Sequence, residues 1–338
     1  MPVTAVSLFS GCGGFDLGAR RASVEILWAN DMYRHAAATY RKYFRDVTFV
    51  HSDITAVDKQ RLPRAHLLIG CYPCQGFSDG ARRRVGGEER DYFGNERNFL
   101  YQQLVEAIPH VQPAVVFIEN VRGLRSSVNG WFFAAQKQAL ERAGYTVYAE
   151  KLNTKDYGLP QSRERIFIVG VRRDLGFVYT FPTPTHGPGL PRPYRTQFEA
   201  IGHLPRWPKG EFEAARFHGH YLTRNRKRPW DSYSNTIVAH SNHVPLHPMG
   251  EPMRRVGEDA WELCGDENRR LSWRECGILQ SFAEDFEPEG PLVSKYTQVG
   301  NAVPPMIAQQ IVQPVVAFLE GNAPQRAVGQ PMAVEQGY

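Results

Sequence analysis

The sequence predicts an α/β protein with a doubly wound, mostly parallel sheet and a smaller, irregular, β-rich insert. Three observations favour this fold. Short runs rich in Val, Ile and Phe alternate with helical stretches over the first 170 residues, for example the helices predicted at Met32–Tyr43 and Phe99–Ile108. A glycine-rich turn follows the first apolar run. From Phe181 the chain becomes irregular, basic, and rich in proline and aromatic residues, which excludes long helices there.

Strands are predicted at seven runs: Ala5–Phe9, Val24–Trp28, Thr48–Val50, His66–Ile69, Ala114–Ile118, Thr146–Ala149 and Arg165–Val171. Residues 1–180 are therefore assigned to the sheet domain and 181–267 to the insert. Helical patterns at Ser272–Phe282 and Pro304–Leu319 indicate that 268–320 return to the sheet domain. Residues 321–338 are polar and contain Pro and Gly, so a disordered tail is predicted.

Composition predicts a soluble chain. It has 338 residues, 42% of them hydrophobic and 22% charged, and no apolar run approaches the roughly 18 residues that span a bilayer. The N-terminal residues show no basic segment before an apolar stretch and no small-residue cleavage site. We therefore expect a cytoplasmic protein that does not bind membranes.

The five cysteines form an odd set without a disulfide framework, as in a reducing compartment. Cys71 and Cys74 form one C-x-x-C, which is compatible with a redox pair or half of a zinc site. Cys264 and Cys276 are spaced too far apart to complete a zinc site, and no matching histidine pair follows. The sequence therefore predicts no metal.

The basic residues are unevenly distributed. The net charge is +5, and nine Lys or Arg lie between Pro191 and Trp230 against three Glu. Seven of the eleven histidines fall between His186 and His247. Such a region either binds a polyanion or is a solvated basic surface, and the charges alone do not decide between them.

Ligand-type residues follow three successive predicted strands. The first strand leads into Ser10–Phe15, whose glycines allow close backbone approach to a ligand. Asp31 follows the second strand, where nucleotide-binding folds contact ribose hydroxyls, and Asp53 follows the third. The glycine turn could be structural and each Asp could cap a helix. The three features together favour a nucleotide-type cofactor at this edge.

Cys74 follows the fourth strand, and a buried structural cysteine is the alternative to a nucleophile there. Pro73-Cys74-Gln75 followed by Gly-Phe-Ser resembles the catalytic motif of the DNA cytosine-C5 methyltransferases of bacterial restriction-modification systems. Five further blocks resemble that family in its order: Phe9–Gly14, Glu119-Asn120-Val121, Gln161–Arg165, Arg270–Glu275 and Gly300–Pro304. The resemblance implies the S-adenosylmethionine-dependent methyltransferase fold.

The resemblance also implies roles for four catalytic residues. Cys74 is the nucleophile that adds to cytosine C6, because C5 alone is too weak a nucleophile to take a methyl group. Glu119 protonates or hydrogen-bonds N3, Arg165 holds O2, and Arg163 supports the thiol or a phosphate. The structural alternative for Glu119 is a surface or cap carboxylate. For Arg163 and Arg165 it is a pair of sheet residues held by salt bridges. Both arginines are expected on one face of a strand.

By the same resemblance the cofactor is S-adenosylmethionine, leaving as S-adenosylhomocysteine. Phe9 stacks on adenine, Asp31 binds the ribose, and Asp53 contacts the amino edge. The expected cofactor-binding residues are Phe9, Ser10, Gly11, Cys12, Gly14, Asp31, Met32, Asp53, Ile54, Leu100 and Asn301. Two positions depart from the family: Met32 replaces an aromatic residue and Cys71 replaces a glycine, which puts cofactor affinity in doubt.

Duplex DNA is the expected partner, and C6 is reached only if cytosine flips out of the helix. The expected DNA contacts are Gln75, Ser78, Arg82, Arg83, Arg84, Arg224, Arg226, Arg228 and Thr236. The insert corresponds to the family's target-recognition region. Its Tyr221–Arg226, Thr236–Val238 and Leu246–Pro248 are similar to members that methylate GGCC. Sequence does not separate arginines that read guanine from those that hold phosphate.

Three rival interpretations follow from the same motifs. The tRNA-methylating relative has a short recognition region and a Cys-Phe-Thr that is absent here. A catalytically dead DNA-binding paralogue conflicts with intact Cys74, Glu119 and Arg165. An oxidoreductase using the C-x-x-C lacks the dinucleotide glycine spacing. We expect a monomer, with a cognate restriction endonuclease as a possible functional partner that makes no stable contact.

Overall fold

The structure is a computed structural model that describes residues 2–73 and 92–321. Several predicted functional residues fall outside the described residues: Cys74, Gln75, Ser78, Arg82, Arg83 and Arg84. The predicted tail also lies outside them from residue 322 onward.

A seven-stranded sheet forms the centre of the fold, with strand order β3-β2-β1-β4-β5-β7-β6. The strands are β1 Val3–Leu8, β2 Val24–Asp31, β3 Thr48–His51, β4 Leu67–Gly70, β5 Val115–Val121, β6 Tyr145–Asn153 and β7 Glu164–Arg172. Only β7 runs against its neighbours β5 and β6. All seven predicted strands are confirmed, with ends shifted by a few residues, and so is the mostly parallel, doubly wound sheet.

The α-helices are Gly14–Arg21, Arg34–Tyr43, Tyr101–Val111, Trp131–Arg142, Gln197–Ile201, Trp273–Leu279, Leu292–Asn301 and Pro305–Leu319. Four of them confirm the predicted helical stretches with shorter or shifted ends. Helix Leu292–Asn301 was not predicted. The second helix begins later than expected because β2 continues to Asp31, whose carboxylate then accepts a hydrogen bond from the Tyr33 amide.

Helices cover both faces of the sheet. On one face, helix Pro305–Leu319 packs against helix Gly14–Arg21, where Gly18 lies so close to the Pro305 carbonyl that no Cβ would fit. Leu292–Leu319 is long and apolar enough to be a candidate membrane span, but 56% of its most apolar window is buried within the protein. The segment is also divided into two helices at 302–304. This segment therefore forms part of the core.

Residues 181–267 are irregular, as predicted, but contain little strand. Within the described part of this region, the only named strands are the hairpin pair β8 Arg254–Gly257 and β9 Ala260–Glu262. In these loops, buried Lys and Arg side chains donate hydrogen bonds to backbone carbonyls that have no partner in a neighbouring strand. The Lys227 ammonium, for example, donates to the Met249 and Glu251 carbonyls at 2.9 and 2.8 Å.

Candidate active site

The parallel strands bring the predicted site residues to one edge of the sheet. Leu8 pairs with Gly70 and Gly70 pairs with Ile118, so the residues that follow these positions are Phe9, Cys71 and Glu119. Leu8 also pairs with Asn30, which places Asp31 next along the same edge. The carboxyl ends of β1, β2, β4 and β5 therefore line one site, at the position where open α/β sheets bind ligands.

The turn after β1 has an unusual backbone. Phe9 adopts a φ of 56°, in the left-handed region that non-glycine residues rarely occupy. Gly11 follows with a φ of 58°, and a Cβ built on it would meet no atom within 4 Å. The Gly11 amide donates to Asp31 Oδ2 at 2.8 Å. The turn is thus held against β2 while open space remains beside its backbone, as a cofactor cradle requires.

Asp31 is buried, with 7% of its surface exposed, and burial raises the pKa of its carboxyl. Its oxygens accept from the Gly11 and Tyr33 amides at 2.8 Å each. Each carboxylate oxygen has a second lone pair, so hydroxyl donors can still bind. The structure therefore has a carboxylate at the end of β2, where the sequence predicts one, and two backbone amides hold it in place.

The other predicted cofactor residues differ in their exposure. Asp53 is exposed and accepts from the Thr55 amide and hydroxyl at 2.9 and 2.8 Å, so it also acts as the cap that was its structural alternative. Met32 is 52% exposed. Ile54 is buried, Leu100 is partly buried and Asn301 is exposed at the end of helix Leu292–Asn301.

Cys12 and Gly14 of the glycine turn are packed against other parts of the protein. The Cys12 thiol is buried and donates to the Gln298 carbonyl at 3.6 Å, and burial raises its pKa to about 12. A Cβ on Gly14 would collide with the Val303 carbonyl. Packing within the protein therefore explains the buried Cys12 thiol and the glycine at position 14.

Buried Glu119 forms an ion pair with partly buried Arg165, with Arg165 Nε 2.9 Å from Glu119 Oε1. In the antiparallel ladder Glu119 pairs with Phe167 and Val121 with Arg165, so the two side chains are diagonal neighbours on one sheet face. Burial raises the pKa of Glu119, and the charges of Arg165 and Arg163 oppose that rise. The carboxyl therefore holds a proton to higher pH than an exposed glutamate does.

Arg163 occupies a different environment from the one expected of a residue on the strand. It precedes β7, is 1% exposed, and donates to three carbonyl oxygens. These are Ile237 at 2.9 Å, Gly300 at 2.9 Å and Ala302 at 3.1 Å. The Arg163 guanidinium thus connects the segment before β7 to the insert and to the residues on either side of Asn301. Its predicted support of the Cys74 thiol concerns a residue outside the described ranges.

Replacing Arg163 with Met is expected to lower the free energy of unfolding by about 3–5 kcal/mol, because three buried carbonyls lose a charged donor. Urea denaturation would measure this. Arg122→Met is the matched control: Arg122 pairs with Glu164 at 3.0 Å and its side chain is 59% exposed, so the expected cost is below about 1 kcal/mol. Equal costs for both variants would contradict a joining role for Arg163.

Among the predicted DNA contacts, Arg224 and Arg228 are exposed, but Arg226 is 5% exposed. The Arg226 guanidinium donates to the Tyr221 and His243 carbonyls at 3.1 and 2.9 Å. This burial explains Arg226 as an anchor of the insert and opposes the prediction that it meets DNA. Thr236 donates through its hydroxyl to the Ser162 carbonyl at 2.6 Å, which ties the insert to the segment before β7.

The structural role of Gln161 was not predicted, although this residue begins the Q-x-R-x-R motif. Gln161 is fully buried. Its Oε1 accepts from the Ile237 amide at 2.8 Å and its Nε2 donates to the Leu279 carbonyl at 3.5 Å. The Q-x-R-x-R spacing could have revealed it, since its first and third residues both bind Ile237. Across 2–73 and 92–321, no three His, Cys, Asp or Glu side chains are grouped to hold a metal ion.

The doubly wound sheet, the open glycine turn after β1 and the buried acid at the ligand edge indicate an α/β methyltransferase. Residues 3–317 match the family model of the C-5 cytosine-specific DNA methylases. The chain belongs to this family and is a DNA cytosine-5 methyltransferase.

Curated relatives carry the names of restriction-modification enzymes. The chain is 34% identical to the Type II methyltransferase M.BsuRI of Bacillus subtilis, over 95% of this chain and 81% of the relative. It is 35% identical to M.BspRI of Lysinibacillus sphaericus, over 95% and 84%. Among solved structures, Dnmt2 of Schizosaccharomyces pombe aligns with a TM-score of 0.65 at 15% identity, over 94% and 99%. That last likeness shows the fold alone.

Proposed function

We propose that this protein transfers a methyl group to C5 of a flipped cytosine in a specific duplex sequence, through a covalent bond between Cys74 and C6. The observation that supports this most is the ion pair of buried Glu119 with partly buried Arg165, at the sheet edge shared with Phe9 and Cys71. Cys74 is three residues beyond Cys71 in the sequence.

The proposed chemistry balances as follows. The Cys74 thiolate adds to C6 while a proton held at Glu119 bonds N3, so the ring becomes an enamine with a nucleophilic C5. Arg165 holds the base carbonyl O2 and keeps Glu119 in place. C5 would then take the methyl group as the bond from that group to the cofactor sulfur breaks, and N3 would return its proton to Glu119. A base then removes the C5 proton, and the electrons of that C–H bond re-form the C5–C6 double bond as the thiolate leaves.

The residues at the sheet edge fit S-adenosylmethionine. This cofactor, when bound, supplies an electrophilic methyl group on sulfur. Asp31 offers lone pairs to ribose hydroxyls, Phe9 offers a ring fixed by its backbone, and the open space at Gly11 permits close approach. Asp53, being exposed beyond β3, would accept from the adenine amino group.

Replacing Asp31 with Asn is expected to weaken S-adenosylmethionine binding about tenfold or more, because an amide forms weaker bonds to hydroxyl donors than a carboxylate does. Isothermal titration calorimetry would measure the Kd. Asp46→Asn is the matched control, since Asp46 is exposed and pairs with Arg20 at 2.6 Å outside the site. Unchanged cofactor affinity in the Asp31 variant would contradict the assigned ribose contact.

We further propose that 1–180 and 268–320 form the catalytic domain and that 181–267 recognise the target. In support, the Thr236 hydroxyl of the insert donates to the carbonyl of Ser162, the residue before Arg163. The similarity of Tyr221–Arg226 and Thr236–Val238 to GGCC-methylating members favours a GGCC-type target. Arg82, Arg83 and Arg84, with Gln75 and Ser78, are also proposed to contact DNA.

We expect the enzyme to act as a cytoplasmic monomer, with a restriction endonuclease as functional partner. The direct test is transfer of labelled methyl from S-adenosylmethionine to duplex DNA and to tRNA, followed by mapping of the modified cytosine. Methylation of C5 within one short DNA sequence is expected. Transfer to tRNA alone, or binding of DNA without any transfer, would contradict the proposal.

A further inference from the structure

Four histidines of the insert, His218, His220, His240 and His243, form a compact group that we call the histidine cluster. The His243 ring is half-buried, and its centroid lies 5.2 Å from His218, 5.7 Å from His220 and 4.9 Å from His240. The other three rings are exposed. The cluster therefore presents three imidazoles to solvent above a fourth that packs against them.

The local backbone fixes the tautomer of two exposed rings. His218 and His240 each precede a short 3-10 helix and cap it. Nδ1 of His218 accepts from the Tyr221 amide at 3.3 Å, and Nδ1 of His240 accepts from the Asn242 amide at 3.3 Å. A ring nitrogen that accepts a hydrogen bond carries no proton, so the proton of each neutral ring is on Nε2. Both side chains thus keep Nε2–H as their donor.

This tautomer disfavours a metal site. A neutral imidazole that ligates through Nε2 carries its proton on Nδ1, and in His218 and His240 that proton would face a backbone N–H. The described residues accordingly contain no group of three side chains placed to hold a metal ion. The histidine cluster is built to donate hydrogen bonds instead.

The cluster is held firmly and lies near the catalytic residues. Buried Arg226 donates to the His243 carbonyl at 2.9 Å and to the Tyr221 carbonyl at 3.1 Å, which joins the two histidine-bearing loops. The Ile237 carbonyl accepts from Arg163 at 2.9 Å. Since His240 is three residues beyond Ile237, the chain places it within about 11 Å of that contact.

We propose that His218 and His240 read guanine in the target, by donating from Nε2–H to the N7 or O6 acceptors on its major-groove edge. Guanine presents two adjacent acceptors there, whereas adenine pairs its N7 with a donor. Exposed arginines such as Arg216, Arg224 and Arg228 already supply positive charge for phosphates nearby. This assignment rests on the proposed function, because it requires duplex DNA as substrate.

The test uses the double variant His218→Asn with His240→Asn. Asparagine is a preferred N-cap, so both helix starts keep an acceptor while the ring N–H is lost. Binding of the full-length protein would be measured for three short duplexes: the mapped target, the same target with 7-deazaguanine, which lacks the N7 acceptor, and a scrambled sequence. The matched control is His203→Asn, since His203 is exposed and contacts Glu284 at 3.1 Å.

The wild type and the His203 variant are expected to bind the 7-deazaguanine duplex about tenfold more weakly than the target. The double variant should bind the target about tenfold more weakly and should no longer distinguish it from the 7-deazaguanine duplex. Its binding to scrambled DNA and its salt dependence should match the wild type, with an unchanged Tm.

Three results would overturn the assignment. The double variant could retain full discrimination against 7-deazaguanine. It could lose affinity equally for all three duplexes with a shallower salt dependence, which would indicate phosphate contacts. A mapped target without guanine beside the methylated cytosine would also exclude it. Wild-type protein that methylates no duplex DNA would overturn the proposed function itself, and the assignment with it.

Discussion

Replacing Cys74 with Ser is expected to reduce methyl transfer to duplex DNA by at least about a thousandfold. A serine hydroxyl is far less ionised than a thiol at neutral pH, so it does not add to cytosine C6 at a useful rate. Single-turnover transfer of labelled methyl from S-adenosylmethionine would measure the loss. Binding of cofactor and DNA should remain, because the substitution changes one atom.

Cys71→Ser provides the matched control for this variant. Cys71 is in the same C-x-x-C, is partly buried, and donates its backbone amide to the Leu8 carbonyl at 3.4 Å. Because that bond uses the backbone, we expect the Cys71 variant to keep transfer within a few-fold of the wild type. If the Cys71 variant loses activity and the Cys74 variant keeps it, the nucleophile has been assigned to the wrong cysteine.

Replacing Glu119 with Gln is expected to lower kcat by about two to four orders of magnitude. The buried carboxyl holds a proton to higher pH than an exposed glutamate does, since burial raises its pKa. The proton is present below that raised pKa and is lost as pH rises through it. Glutamine keeps the shape and can still hydrogen-bond N3, but it cannot transfer a proton to it.

The Glu119 variant should lose kcat while the KM for DNA changes little, because the proton acts in the transition state. Glu164→Gln is the control: Glu164 precedes Arg165 in β7, so its side chain lies on the opposite sheet face, and it binds Lys151 at 3.2 Å near the surface. A Glu119 variant with wild-type kcat, or a Glu164 variant with an equal loss, would contradict the proposed role.

Much of the fold could be predicted from sequence because the buried strands are continuous apolar runs bounded by polar residues. The strand order and the reversal of β7 could not, since they depend on which faces pack together. Helix Leu292–Asn301 was missed because its buried face includes polar Gln298, whose carboxamide binds the Glu289 carbonyl at 2.8 Å. A buried polar side chain interrupts the spacing of apolar residues that would otherwise indicate a helix.

The site was predictable at the strand ends and less so where charged side chains turn inward. Asp31 ends β2 and Glu119 lies near the end of β5, and the strand register brings both to the same edge of the sheet, so motif and topology agree. The sequence predicted a catalytic role for Arg163 and a DNA contact for Arg226, yet both guanidinium groups donate to carbonyl oxygens of distant segments. The capping of 3-10 helices by His218 and His240 was likewise unpredictable, because neither helix has a pattern of its own.

The most direct test of the covalent mechanism is trapping on duplex DNA with 5-fluorocytosine at the methylated position. Fluorine cannot leave as a cation, so the bond between Cys74 and C6 persists after methyl transfer. We predict a denaturant-stable protein–DNA adduct for the wild type and Cys71→Ser in the presence of S-adenosylmethionine, and none for Cys74→Ser. Two results would contradict a covalent bond between Cys74 and C6. The wild type could methylate ordinary target DNA but form no adduct, or the Cys74→Ser variant could still form one.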